Sequence, residues 1–122
     1  MPFSDYDIEC IEKAKGFIDA NLGTHFTLEF IALKVALGKT KLTRDFRKYY
    51  GMGLYQYLKK QRMIKAAELL AQTRKTIKEV ASLTGFKYSS NFTKAFSSYH
   101  GLTPAMYRDL FSNLVKSKHL LL

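Results

Sequence analysis

The first stretch whose side chains could do chemistry reads "LTRDFRKYYG" and combines three cations with the short hydroxyl side chain of Thr43. Leu42 and Phe46 stand four residues apart, a spacing that places both on one face of a helix. At about 100° per residue, the opposite face carries Thr40, Arg44 and Arg47. Arg can bond a guanine edge bidentately and Thr can bond either purine or pyrimidine edges, so this face favours nucleic-acid contact over simple solvent exposure.

A second stretch, "FTKAFSSYHG", repeats this arrangement further along the chain. Phe92 and Phe96 form the apolar pair, and Tyr99 is predicted to extend it as Tyr49 extends the first pair. The opposite face carries Ser90, Lys94 and Ser97, flanked by Asn91 and Thr93. Because Asn suits an adenine edge, the second face predicts the same chemistry as the first.

Catalytic chemistry has little support in the residue pattern. His25, His100 and His119 lack the close spacing of a metal site, and the acids form no evident pair for acid–base catalysis. No Gly-rich phosphate loop occurs. The single Cys10 can form neither an internal disulfide nor a Cys-rich zinc site. We therefore predict no enzyme, no catalytic residue, no metal and no cofactor.

The helix that carries each polar face belongs to a longer segment, and this segment occurs twice in the chain. Thr27 corresponds to Thr76 at an offset of 49, and Gly51 corresponds to Gly101 at an offset of 50, so the second copy has one extra residue in its turn. Each copy is predicted to be a helix, a short turn and a second helix. "TIKE" from Thr76 is a capping box, and Gly85 suits the left-handed end of that helix.

Charge is distributed unevenly over the 122 residues, whose net charge is +10. Residues 1–19 hold five of the ten acids, which leaves the remainder strongly basic. Nine bases and one acid, Asp45, lie between Lys39 and Lys65, and such a field attracts polyanions. No apolar run suits a membrane span and no secretory signal is visible, so the expected location is the cytoplasm, with no membrane partner.

The span from Phe26 to Arg108 resembles the DNA-binding domain of the AraC/XylS family of bacterial transcription regulators. The most specific matching stretch is "TIKEVASLTGFKYSSNFTKAFSSYHGLTPAMYR", in which GF, F-x-x-A-F and G-x-x-P-x-x-Y-R follow the family signature in type and spacing. The resemblance implies an all-α fold with two helix-turn-helix subdomains joined by a long linking helix. It also implies sequence-specific binding to double-stranded DNA, with the second helix of each subdomain in one of two successive major grooves, about 34 Å apart.

Site residues follow from the resemblance position by position. The reading helices are residues 39–49 and 89–99. The implied base-reading residues are Thr40, Thr43, Arg44, Ser90, Asn91 and Lys94. The implied phosphate-binding residues are Lys41, Arg47, Lys48, Lys87 and Thr93. The second copy is less basic, so we expect the first subdomain to supply most of the affinity.

One domain of five segments is predicted. They are an N-terminal helical region (1–25), the first helix-turn-helix (26–53), the linking helix (54–75), the second helix-turn-helix (76–108) and a C-terminal tail (109–122). The apolar end of the tail, residues 120–122, is a candidate partner contact. Arg62 lies on the apolar side of the linking helix, which favours a structural role over a DNA role.

Several positions depart from the family pattern. Ala36 stands in the first turn where Gly is frequent, and Gly38 replaces the usual Ser cap. Lys87 and Tyr88 replace the usual small polar cap of the second reading helix, so Ser89 is predicted to serve instead.

Partners beyond DNA are implied only by the family. RNA polymerase is one, and a sensor and dimerisation domain is another, because most members carry such a domain while others consist of the DNA-binding domain alone. Two alternatives of other classes remain open. They are a module that binds RNA and a basic module that binds an acidic protein.

Overall fold

Seven helices make up the part of the chain that the structure, a computed structural model, describes: residues 3–120, with side chains as far as Ser112. The helices are α1 (Asp5–Ala20), α2 (Leu28–Val35), α3 (Lys39–Tyr50), α4 (Leu54–Gln72), α5 (Ile77–Leu83), α6 (Ser89–His100) and α7 (Pro104–Leu120). Residues 3–120 contain no strand, which confirms the predicted all-α class. The predicted partner contact at residues 120–122 lies outside the described side chains.

Two compact units divide the chain between Gln61 and Arg62, inside α4. In the first unit, Ser4 caps α1 and forms a capping box with Asp7. Thr27 caps α2 by accepting a hydrogen bond of 3.1 Å from the backbone N–H of Phe30. These caps fix where the helices begin.

The core of the first unit is apolar and aromatic. Ile11 and Ile18 of α1, Ile31 of α2 and Phe46 of α3 are fully buried in it. The Tyr57 ring of α4 lies 5.8 Å from the Phe46 ring, in an edge-to-face arrangement. Since Leu42 is also fully buried, the predicted apolar pair fixes which face of α3 turns outward.

The turn before α3 is built without a side-chain cap. Ala36 adopts a left-handed conformation with φ of 55°, and its carbonyl accepts a hydrogen bond of 2.5 Å from the Tyr6 hydroxyl. Gly38 is the N-cap of α3, as predicted. At the other end, Gly51 closes α3 with φ of 78°, and its N–H donates to the Arg47 carbonyl.

The second unit repeats this plan around its own core. Phe92 and Phe96 of α6 are fully buried with Met63 of α4 and Val80 of α5. Arg108 donates from Nε to the Leu70 carbonyl at 3.0 Å, which satisfies a carbonyl in the last turn of α4.

Gly85 ends α5 and lies directly against the Arg62 side chain. Its φ is 87°, the left-handed conformation predicted for it. A Cβ at this position would lie 2.6 Å from Arg62 Cζ, so a methyl group there would displace the guanidinium. Burial lowers the pKa of Arg62. This packing supports the structural role predicted for Arg62.

We expect Gly85→Ala to destabilise the protein by about 1 kcal/mol more than Gly101→Ala, because a new methyl group must displace Arg62. Gly101 is the matched control, since it has a similar φ of 77° and a Cβ there would meet nothing within 4 Å. The free energy of unfolding, from urea titration, measures the difference. Repeating both substitutions in an Arg62→Ala background should abolish the difference; a difference that persists would contradict the packing argument.

Two local predictions were wrong. Tyr88, not Ser89, is the N-cap of α6, and no side chain caps this helix, because Ser89 already has helical geometry as its first residue. Tyr49 and Tyr99 do not extend the buried pairs, since 39% and 43% of their surfaces are exposed. Both rings lie at the edge of their core, where Tyr49 contacts Phe3 and Tyr99 contacts His100.

Within residues 3–120, no helix has the length and apolar character needed to cross a membrane.

Candidate nucleic-acid interface

The three predicted base-reading residues of α3 are all exposed. Thr40 and Thr43 lie in its first half, and 55% of the Arg44 side chain is exposed. The Thr43 hydroxyl donates a hydrogen bond of 2.9 Å to the Lys39 carbonyl. Its oxygen therefore presents acceptor lone pairs outward, while the guanidinium of Arg44 presents donors.

The three predicted base-reading residues of α6 are also exposed. Ser90 and Asn91 are the second and third residues of the helix, and Lys94 follows one turn later. In helix-turn-helix proteins the first residues of the recognition helix contact base edges. The structure places Ser90 and Asn91 in the first turn of α6 and Lys94 near the middle of the helix.

The predicted phosphate-binding residues fall into two groups. Arg47 and Lys48 near the end of α3, and Lys87 before α6, are exposed. Lys41 and Thr93 are half-buried.

Lys41 is held by two carboxylates in the free protein. Its Nζ lies 3.0 Å from Asp45 Oδ2 and 3.3 Å from Asp7 Oδ2 of α1. Hydrogen bonding to Asp45, and then to Asp7, raises the pKa of Lys41. Burial opposes ionisation of Asp7, but the hydrogen bonds from Ser4 and Lys41 outweigh it and lower the Asp7 pKa. Lys41 and Asp7 therefore stay charged at neutral pH, and Lys41 offers less charge to a polyanion than Arg47 or Lys48.

A second ion pair connects α2 with the start of α3. Lys39 Nζ lies 2.6 Å from Glu29 Oε1, and both side chains are more than half exposed. The hydrogen bond between them raises the pKa of Lys39 and lowers that of Glu29. Exposed pairs of this kind contribute little to stability, so breaking the pair between Lys39 and Glu29 costs little free energy.

Two residues at these surfaces were missed by sequence reasoning. Asp45 is only 4% exposed, although it belongs to the most basic stretch of the chain. Asp45 follows Lys41 by four residues, and this spacing in a helix could have predicted the ion pair between them. Tyr88 is 57% exposed at the start of α6, and Lys87 Nζ lies 5.6 Å from the centre of its ring. The signal there was an aromatic residue at a position that usually carries a small polar cap.

Among the described residues, no group of three or more His, Cys, Asp and Glu side chains could hold a metal ion.

Comparison with known proteins identifies relatives over most of the chain. A family model described as "Helix-turn-helix domain" matches residues 31–109. The regulatory protein PocR of Salmonella typhimurium is 36% identical over 98 residues, which cover 80% of this chain and 32% of PocR. The transcriptional activator AarP of Providencia stuartii is 34% identical over 105 residues, covering 86% of this chain and 78% of AarP. The chain thus spans about a third of the length of PocR and most of the length of AarP.

Solved structures show the same fold. The C-terminal domain of AraT, a response regulator from Geobacillus stearothermophilus, superposes with a TM-score of 0.79 at 30% identity, over 83% of this chain and 84% of that domain. The DNA-binding domain of the transcriptional factor AdpA, solved in complex with a target DNA, superposes with a TM-score of 0.79 at 25% identity, over 84% of this chain and 93% of that domain.

Proposed function

The chain belongs to the AraC/XylS family of transcription regulators, and from this membership we propose that it binds duplex DNA sequence-specifically to regulate transcription. The observation that carries the proposal is the exposure of all six predicted base-reading side chains on α3 and α6. The net charge of +10 supplies the attraction to a polyanion.

We propose that each of these two helices enters a major groove, and that the two grooves are successive. In this proposal Thr40, Thr43 and Arg44 read one short motif, while Ser90, Asn91 and Lys94 read another. Residues 26–53 and 76–108 form the two helix-turn-helix subdomains, with residues 54–75 as the linking segment. Half-sites one helical turn apart, about 10 base pairs, are the corresponding target.

Phosphate contacts set the position of each helix on the duplex without reading sequence. We assign them to Lys41, Arg47, Lys48, Lys87 and Thr93. The exposure of Arg47, Lys48 and Lys87 supports a direct role. Because the first unit carries more of these cations, we propose that it supplies most of the affinity.

The proposed activity is binding without catalysis, in the cytoplasm, with RNA polymerase as a protein partner. The name of AarP, a transcriptional activator, supports activation as the outcome. The matched residues make up only 32% of PocR, which supports a sensor and dimerisation domain in the intact regulator.

Competition experiments distinguish this function from the RNA-binding and acidic-partner alternatives. The purified protein is bound to a labelled duplex of about 30 base pairs at near-physiological salt. Unlabelled duplex, single-stranded RNA of the same sequence and polyglutamate are then added as competitors. We expect duplex DNA to compete best. Equal or stronger competition by RNA or polyglutamate would contradict the proposal.

Lys48→Ala should weaken binding to specific and random duplexes by the same factor, and should reduce the slope of log affinity against log salt by about 1. The reason is that Lys48 is exposed on α3 and is assigned to a phosphate. Fluorescence anisotropy over a series of salt concentrations measures the slope.

Lys13→Ala is the matched control for Lys48→Ala. It removes the same charge from α1, where Lys13 pairs with Glu9 at 3.1 Å. We expect a much smaller change of slope. Equal effects of both substitutions would show that only total charge matters and would contradict the assignment of Lys48 to a phosphate.

A further inference from the structure

Asp45 is a buried acid on the helix that is proposed to read DNA. A carboxylate near a DNA surface repels phosphate, and a buried carboxylate loses its hydration, so its presence requires a compensating interaction. Asp45 is 4% exposed, whereas 55% of the Arg44 side chain and 42% of the Lys41 side chain are exposed.

Each carboxylate oxygen of Asp45 faces a different cation of α3. Oδ1 lies 3.4 Å from Arg44 Nε, and Oδ2 lies 3.0 Å from Lys41 Nζ. Lys41 in turn contacts Asp7 of α1 at 3.3 Å, so the group is anchored to a second helix. Through Oδ1, this group lies within hydrogen-bonding distance of Arg44 at its Nε side.

The consequence for Arg44 is orientation. A guanidinium has five N–H donors in a fixed plane, and a single hydrogen bond from Nε to Asp45 is enough to orient that plane. The remaining donors can then bond a base. A guanidinium restrained before binding loses less rotamer freedom when it forms a bidentate contact, and such a contact distinguishes guanine from other bases.

We propose that Asp45 is a positioning residue that holds the Arg44 guanidinium in the orientation needed to read a guanine. This inference rests on the proposed function, because it assumes that Arg44 contacts a base. Asp45 itself touches no DNA in this account, and it acts through Arg44.

The test measures discrimination, which is the ratio of the dissociation constants for random and selected duplexes. The selected duplex is the sequence that the wild-type protein recovers from a random library. Asp45→Asn should lower this ratio by roughly three- to tenfold, the loss expected when one side chain is no longer restrained. Partial unfolding weakens binding to both duplexes by the same factor, so the ratio does not depend on stability. Asp45→Glu keeps the charge but displaces the carboxylate, and it should lower the ratio as well.

Two controls separate positioning from charge. Glu29→Gln also neutralises an acid paired with a lysine of α3, yet it does not contact Arg44 and should leave the ratio unchanged. In an Arg44→Ala background, Asp45→Asn should leave the ratio unchanged too, because no guanidinium remains to be oriented. An equal fall in the ratio with and without Arg44 would overturn the inference.

The remaining outcomes identify which claim fails. If the wild-type protein does not discriminate between duplexes, the proposed function fails. If the wild-type protein discriminates and Asp45→Asn discriminates equally well, the inference about Asp45 fails while the proposed function stands.

Discussion

Arg44→Ala is expected to weaken binding to the selected duplex by about 1–3 kcal/mol, the usual contribution of a bidentate contact to guanine. That loss corresponds to roughly 5- to 150-fold in affinity. Arg44 combines 55% side-chain exposure with a position on the outward face of α3, opposite the buried Leu42 and Phe46. Anisotropy titrations with selected and random duplexes measure the effect, and the loss on random duplex should be several-fold smaller.

Arg47→Ala is the matched control for Arg44→Ala. It also removes an exposed arginine, one turn further along α3, and we assign Arg47 to a phosphate contact. It should weaken binding to both duplexes equally, because phosphate contacts are independent of sequence. If Arg44→Ala also weakened both equally, Arg44 would touch only phosphate, and its assignment as a base reader would be wrong.

Phe96→Ala is expected to lower the free energy of unfolding by about 3–5 kcal/mol, because it removes a fully buried ring and leaves a cavity. Phe96 is 0% exposed, and its ring lies 5.7 Å from that of Phe92, 4.3 Å from that of His100 and 5.3 Å from that of Tyr107. Total stability of a domain is typically about 5–15 kcal/mol, so this single change removes a large share of it. Urea titration followed by circular dichroism provides the measurement.

Tyr99→Ala is the control for this substitution, on the same helix. Tyr99 is 43% exposed, and its loss should cost less than about 1 kcal/mol, as surface substitutions usually do. Similar costs for Phe96→Ala and Tyr99→Ala would contradict the core that we describe for the second unit.

Local patterns predicted where α5 begins and ends, and the family resemblance predicted the bounds of the two reading helices. The two reading helices were predicted as residues 39–49 and 89–99, and the structure extends each by one residue. Thr76 caps α5 and Gly85 ends it in a left-handed conformation, as predicted. These predictions succeeded because capping residues and apolar pairs act within one helical turn, and short-range physics determines their conformation.

Contacts between distant residues were not predictable in this way. Asp7 and Lys41 meet although 33 residues separate them, and Gly85 meets Arg62 across the second unit. No periodicity encodes such contacts, because they depend on how helices pack. The wrong cap at Ser89 has a different cause: Tyr88 adopts the extended cap conformation without supplying a side-chain hydrogen bond.

The exposure of the predicted base-reading residues follows from the burial of their neighbours. Once Leu42, Phe46, Phe92 and Phe96 occupy the cores, helix geometry turns the polar residues outward. Which of those residues contact bases and which contact phosphates stays a prediction, since exposed side chains occur in both groups.

Selection of binding sites by the wild-type protein from a random duplex library, at near-physiological salt, tests the central claim most directly. We predict recovery of two short motifs whose centres lie about 10 base pairs apart, one for each reading helix. Salt-sensitive binding from which no motif emerges would contradict sequence-specific reading and would leave a basic domain that binds DNA through phosphates alone.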